Sequence, residues 1–225
     1  GALAARMLGD WLGAGDVIRI LAGGGRMSMV MATGGHFASA VAAARLRKSR
    51  WGHTSVQVLS AHMPMPELVA RLNAFRPAVV APYASVAALL ADEQRAGRLR
   101  IRPALVALSA EGLPTGEYER IAGAFDTKVG NSYAATECTF LSYGCRHDWL
   151  HVNGDWVVLE PVDAAYRPTP PGEQSHTVLI SNLANRVQPI LRYDLGDSVL
   201  QRPDPCPCGN PLPAIRFEIV FGKGK

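Results

Sequence analysis

Two periodicities alternate along the first part of the chain. Met65–Phe75, Ala84–Ala96 and Gly116–Phe125 carry apolar residues three and four apart, the spacing of a helix with one buried face. Between them, Ser55–Leu59, Ala78–Ala81, Ala104–Leu108 and Thr127–Val129 are short runs rich in Val, Leu and Ala. Such runs between helical stretches predict βαβ units and a mostly parallel sheet with flanking helices. Ser85 near the start of the second helix and Gly97 after its end are ordinary start and stop signals. Upstream, Ala4–Leu12 predicts a helix that stops near Gly13 and Gly15, while Val17–Leu21 and Ser28–Met31 read as strands around the tight turn Gly23-Gly24-Gly25-Arg26. Thr33-Gly34-Gly35-His36-Phe37 then opens an Ala-rich helix through Arg47, which places a helix N-terminus near His36.

After Glu137 the texture changes. Thr139–Tyr143, Asp155–Glu160, Thr177–Asn182, Gln188–Arg192, Asp197–Gln201 and Ala214–Val220 read as strands, separated by Pro- and Gly-rich turns such as Arg167–Gly172. The expected architecture is α/β: residues 1–137 form an α/β subdomain, and residues 138–225 form a small antiparallel, barrel-like β subdomain. In such open parallel sheets, ligands bind beyond the C-terminal ends of the strands. Ser109–Leu113 and Asn131–Glu137 both follow predicted strands there.

Composition narrows the function. The 225 residues are 48% hydrophobic, enough for a packed core, and no apolar run approaches the ~18 residues of a membrane span. No signal-peptide order is present at the start, so a cytoplasmic protein without a membrane partner is expected. Net charge is +4, the one basic cluster is Arg45–Arg50, and aromatics are 7%; nucleic-acid binding is not expected. The glycines at 23–25 lack a following Gly-Lys-Ser/Thr, and no Gly-x-Gly-x-x-Gly occurs, so no phosphate loop is assigned. No Ser-His-Asp grouping points to a hydrolase.

Two stretches carry candidate chemistry. Asn131–Cys138 offers a ring, a hydroxyl and a carboxylate in Tyr133, Thr136 and Glu137: a face for a purine, a donor for a phosphate and a hard oxygen ligand for Mg²⁺. Ile190–Asp197 adds Tyr193, Asp194 and Asp197. Together they resemble the adenylate-forming superfamily, and most nearly its phenylacetate–CoA ligase-like branch. That branch has Tyr-Gly-x-Ser/Thr-Glu, read here as Tyr133-Ala134-Ala135-Thr136-Glu137, and Pro-x-Ile-Arg-Tyr-x-x-x-Asp, read here as Pro189–Asp197. Ser109-Ala110-Glu111-Gly112-Leu113 is similar to its adenine-bordering loop, with Ser109 and Gly112 as departures.

The resemblance implies activation of a small carboxylic acid, aryl by preference, to acyl-AMP and then to a thioester with CoA or a carrier-protein thiol. It implies ATP and Mg²⁺ as cofactors. Ala110, Glu111 and Gly112 would border adenine, with Asn131 and Ser132 at its edge and Tyr133 stacked on it. Thr136 would bond the α-phosphate, Glu137 would hold Mg²⁺, Asp197 would accept from the ribose hydroxyls, and His36 would face the reacting carboxylate. Phe37, Tyr83 and Ala135 join His36 as acid-pocket candidates. Two departures stand out: Ala134 replaces a glycine, and Asp194 adds a second carboxylate near the triphosphate, which would oppose binding unless a cation intervenes.

The phosphate loop and the mobile lysine domain expected at either end are absent, so the chain reads as the central part of a longer enzyme, inactive by itself. Lys223 and Lys225 do not qualify as the catalytic lysine. The alternative is a non-catalytic relative that binds a small acid, a nucleotide or a protein. A carrier protein and a second copy of the chain are the macromolecular partners left open.

All four cysteines, Cys138, Cys145, Cys206 and Cys208, lie in the second half. The Cys206-Pro207-Cys208 spacing is awkward for a disulfide framework, and in a reducing compartment such clusters are more often metal ligands. Some relatives carry a similar Cys-x-Cys-Gly and a Cys followed six residues on by His. By that resemblance Cys145, His151, Cys206 and Cys208 form a structural Zn²⁺ site, with His147 as the alternative imidazole. The other reading is a set of reduced, unliganded thiols; Cys138 is taken as a buried thiol.

Overall fold

The computed structural model describes residues 2–32, 55–108, 112–114, 116–185 and 187–217. The chain divides into two compact units, 1–131 and 132–225.

In the first unit, helices α1 (Ala2–Trp11) and α2 (Ala14–Ala22) precede strands β1 (Met27–Met31) and β2 (Val56–Ser60). Then helix and strand alternate: α3 (Met65–Phe75), β3 (Val79–Pro82), α4 (Ala84–Arg95), β4 (Leu105–Leu108), α5 (Glu117–Phe125) and β5 (Lys128–Tyr133). Every pairing among β1–β5 is parallel, in the order β5-β4-β3-β1-β2. The buried stripes of the helices, including Leu68, Leu72, Leu90, Ile121 and Phe125, pack with Val30, Val80, Val106 and Leu108 of the sheet. This is the parallel α/β arrangement that the two alternating periods predict.

Two elements differ from expectation. Val17–Leu21 is helical, not a strand. The Asp16 carboxylate accepts the Gly13 N–H at 2.9 Å and closes the first turn, and the 17–18–21 spacing fits a helix as well as a β-branched run fits a strand. The run was ambiguous by periodicity, and the local cap decides it. The strand expected at Thr127–Val129 continues through Asn131, Ser132 and Tyr133, so the motif begins inside β5. Gly130 lies within this strand. A Cβ at that position would lie 2.5 Å from the Trp11 ring, so its missing side chain makes room for an indole.

In the second unit the strands are β6 (Ser142–Gly144), β7 (Leu150–Val152), β8 (Val157–Val162), β9 (Thr177–Asn182), β10 (Ile190–Asp194), β11 (Val199–Gln201) and β12 (Ala214–Phe217). All their pairings are antiparallel. Ser132 and Tyr133 pair with β6, followed by β7, β12 and β11, while β8, β9 and β10 form a separate small sheet. Strand β7 has no counterpart among the expected strands, being three residues with a histidine at its centre. Leu141, Val152, Val157, Val178, Ile180, Val199 and Ile215 form the core. Among the described residues no helix is long and apolar enough to cross a membrane.

Candidate active site and metal centre

The two motif stretches meet in the second unit. The Tyr133 hydroxyl donates to Asp197 Oδ2 at 2.5 Å, across 64 residues of sequence. The Tyr133 ring is half-buried and meets Phe217 edge to face, with centroids 4.2 Å apart at 62°. Burial, and then the Asp197 carboxylate, push the Tyr133 phenol well above its ordinary range, so it stays a donor. Tyr133 therefore fixes one oxygen of Asp197 and leaves the other as an acceptor.

Thr136 and Glu137 occupy a tight turn. Ala135 N–H donates to the Cys138 carbonyl at 3.0 Å, and Cys138 N–H returns to the Ala135 carbonyl at 3.1 Å. Thr136 is exposed and Glu137 half-buried at the tip. Asn182, at the end of β9, donates from Nδ2 to the Glu137 carbonyl at 2.8 Å, while its Oδ1 accepts from Ala184 and Asn185 N–H. The Tyr193 phenol is raised by the charge of Glu137 and by a hydrogen bond to it, so Tyr193 sits against this carboxylate. Asn182 and Tyr193 thus hold the Glu137 turn, a role that motif reading gave to neither. Tyr193 stands within a quoted motif, whereas no pattern marks Asn182.

In the first unit, Asn131 donates from Nδ2 to the Tyr118 hydroxyl at 2.9 Å, and that hydroxyl also accepts Leu113 N–H at 3.4 Å. Tyr118 thus joins Asn131 to the loop that follows exposed Gly112. Ser132 pairs with Tyr143 across the β5–β6 ladder. His36, Phe37, Ala110 and Glu111 lie outside the described residues.

Asp194 does not stand free against the site. Its Oδ1 accepts from the Thr177 hydroxyl and from Gly196 N–H at 2.9 Å, and its Oδ2 accepts from the Tyr166 hydroxyl at 2.9 Å. The Thr177 hydroxyl first, then the Gly196 N–H and Tyr166, hold the Asp194 carboxyl below its usual range against the opposing effect of burial. The expected repulsion of a triphosphate is thereby weakened by donors within the protein.

Cys145, His151, Cys206 and Cys208 gather with their ligand atoms all within 4.8 Å of one another. Cys145 Sγ and Cys206 Sγ are 3.7 Å apart, close to the ~3.8 Å that two ~2.3 Å bonds at a tetrahedral angle require. His151 is fully buried, its Nδ1 lies 3.1 Å from the Leu212 carbonyl and its Nε2 lies 3.1 Å from Cys208 Sγ. A carbonyl on Nδ1 fixes the proton there and turns the Nε2 lone pair toward the thiols, the usual arrangement of a ligating imidazole. Gly209, at φ +85°, turns the chain so that Asn210 N–H reaches Cys208 Sγ at 3.4 Å. His147 is outside the cluster; its Nε2 accepts from Arg146 at 3.3 Å.

Burial pushes the Cys145 thiol up to about 11. Burial also opposes the Cys206 thiolate, but hydrogen bonds from Cys208 and Cys145 and the charge of Arg202 outweigh it and draw that thiol down. Trp149 packs beside Cys206, with the guanidinium groups of Arg216 and Arg202 over its ring at 4.3 and 5.0 Å. Three thiolates and one neutral imidazole around a divalent ion carry one net negative charge, and the two cations stand where they offset it.

The fold is similar to that of several solved ligase structures. Among solved structures, the chain is similar to 2-hydroxyisobutyryl-CoA ligase in an open conformation with 2-HIB-AMP and CoA, at 24% identity and TM-score 0.66, over 92% of this chain and 49% of that one. It is also similar to a benzoate CoA ligase from Burkholderia xenovorans LB400, at 18% identity and TM-score 0.52, over 72% of this chain and 35% of that one. VinN in complex with L-aspartate matches at 16% identity and TM-score 0.60, over 90% and 52% of the respective chains. The chain spans about half the length of the 2-hydroxyisobutyryl-CoA ligase it matches. No protein-family profile matches the sequence. No curated protein matches it either.

Proposed function

We propose that the chain is the central part of an ATP-dependent acid–thiol ligase of the adenylate-forming superfamily, in its phenylacetate–CoA ligase-like branch. The carboxylate of a small acid, aryl by preference, attacks the α-phosphorus of ATP and pyrophosphate leaves. A thiol of CoA or a carrier protein then displaces AMP from the acyl-adenylate. Both reactants of the first step are anions, so the protein's work is to position them and to offset charge.

Tyr133 stacks on adenine, with Asn131, Ser132 and the 110–112 loop at the base. Asp197 accepts from the ribose hydroxyls, Thr136 donates to the α-phosphate and Glu137 holds Mg²⁺, which supplies positive charge beside the phosphates. His36 faces the acid. Cys145, His151, Cys206 and Cys208 hold a structural Zn²⁺.

One observation carries this reading: the Tyr133 hydroxyl bonded to Asp197, which joins two stretches expected to grip base and sugar of one nucleotide. Calorimetry with AMP tests it. Wild type is expected to bind, and Asp197→Ala to bind at least about tenfold more weakly, the lower end of what a charged hydrogen bond contributes. No binding by wild type removes the nucleotide site. Acid-dependent pyrophosphate exchange by the full-length protein then separates an enzyme from a binding module: AMP binding without exchange for any aryl acid favours the module.

A further inference from the structure

The strand pair β9–β10 has an irregular register that gives Asp194 a defined place. Ile190 pairs with Asn182 and Tyr193 with Ile180, so three steps along β10 match two along β9. The extra residue is a bulge, and within it Arg192 adopts φ +47°, an uncommon conformation for a side chain of that size. Its N–H donates to the Ser181 hydroxyl at 3.0 Å.

Side chains alternate between the faces of a strand, so a one-residue shift exchanges faces. Without the bulge Asp194 would stand opposite Val178, a fully buried member of the core. With it, Asp194 stands opposite Leu179 and shares a face with Thr177.

There its carboxylate collects the Thr177 hydroxyl, the Tyr166 hydroxyl and the N–H of Gly196. The Thr177 oxygen also accepts Gly196 N–H at 3.1 Å, and Leu195 N–H reaches the Val178 carbonyl at 3.1 Å. Gly196 sits at φ +73°, and the next residue is Asp197, already bonded to Tyr133. Both residues between Asp194 and Asp197 are therefore tied to β9, and Asp194 is the group that receives most of the donors.

We infer that Asp194 is a positioning residue: through the Leu195–Gly196 turn and Thr177 it sets the place of the Asp197 carboxylate, and it does not itself touch nucleotide. The inference rests on the reading of Asp197 as the acceptor of the ribose hydroxyls. It assigns a role to the second carboxylate, which motif reading took as a departure opposing the triphosphate. It also explains why the bulge and a left-handed arginine occur here: together they turn Asp194 out of the core and onto Thr177.

The test compares AMP with 2′,3′-dideoxy-AMP, which lacks the hydroxyls that Asp197 would bind. Wild type is expected to prefer AMP by about tenfold or more, and Asp197→Ala to lose that preference. If Asp194 acts through Asp197, Asp194→Ala weakens AMP binding and leaves dideoxy-AMP binding within about twofold, so the preference collapses there too. Thr177→Val should reduce the preference and Thr177→Ser should restore it. Should Asp194→Ala fail to fold, the Thr177 pair carries the same measurement. Equal weakening toward both ligands, or a preference kept in Asp194→Ala and Thr177→Val, overturns the positioning role while leaving the nucleotide site standing. A wild type that binds AMP without preferring it, or does not bind AMP, instead overturns the ribose reading, and the positioning role falls with it.

Discussion

The two units reach order by different physical means. In residues 1–131, amphipathic helices cover a parallel sheet, and the core runs from Val30 to Phe125 as one cluster of aliphatic and aromatic side chains. In residues 132–225, short strands enclose a smaller cluster, and polar side chains make the long connections: Cys145 to Cys206, His151 to Cys208, Asn182 to the Glu137 carbonyl, and Tyr133 to Asp197. Burial is non-directional and tolerates substitution of similar volume, whereas hydrogen bonds and metal bonds demand particular atoms at particular distances. The first unit is therefore expected to respond to volume and the second to chemistry.

The largest effect that separates them is metal removal. Structural zinc sites contribute on the order of 10 kcal/mol or more to apparent folding stability. Zinc analysis of protein purified without chelator is expected to give close to one equivalent per chain, and Cys206→Ser to give far less. A strong chelator should then lower the melting temperature and quench or shift Trp149 fluorescence, since that ring packs beside Cys206. Less than half an equivalent in wild type would sink the zinc site and leave four free thiols.

A core truncation tests the opposite side of the contrast. Phe125 is buried in the first unit, and Phe125→Ala should cost about 3–5 kcal/mol through lost transfer energy and the cavity left behind. Zinc content should not change. A measured cost under about 1 kcal/mol in denaturant unfolding would show that this core collapses around the gap or that the helix is not docked as described.

The same contrast governs what could be read from sequence. Repeating apolar residues at helical spacing locate Met65–Phe75 and the two later helices almost to the residue, because burial acts on many positions at once. Single polar contacts leave no such period. Tyr118, which bonds both Asn131 and the Leu113 N–H, looks like any helix aromatic, and Asn182 looks like the end of any strand. The roles given to Tyr133 and Asp197, and the choice of His151 to complete the cysteine set, come only from resemblance to known motifs, and their meeting in space could not be deduced from spacing. Val17–Leu21 was misread because five apolar-rich residues fit either period and the Asp16 cap lies outside the window. Nothing in the pattern marks Gly130, because its partner, Trp11, is far along the chain.

That glycine offers a smaller and more local test. Gly130→Ala places a Cβ 2.5 Å from the Trp11 ring atoms, and the ring must shift or the strand must move. Overpacking of this kind typically costs about 1–3 kcal/mol. The double variant with Trp11→Ala should recover most of the loss due to the added methyl group, which a thermodynamic cycle would read as coupling. Additive losses would mean that the clash is relieved elsewhere.

The smallest expected effect is electrostatic and lies in the polar unit. Thr177, Gly196 and Tyr166 all donate to Asp194, and His176 adds a favourable charge, so its folded pKa lies below the unfolded value of ~3.9. A carboxylate with a depressed folded pKa stabilises the protein above the unfolded pKa, and the contribution is lost as pH falls through the folded one. Comparing wild type with Asp194→Asn cancels the other acidic groups to first order. The difference in melting temperature should be constant from about pH 5 to 6 and shrink below about pH 4, as the aspartate takes up a proton and comes to resemble the amide. Because Asp194 is exposed and its partners are screened by solvent, the gap should amount to a few degrees at most. A gap that widens toward acid would mean that the charged form is not the one these donors favour, and that Asp194 does not hold its turn as an anion.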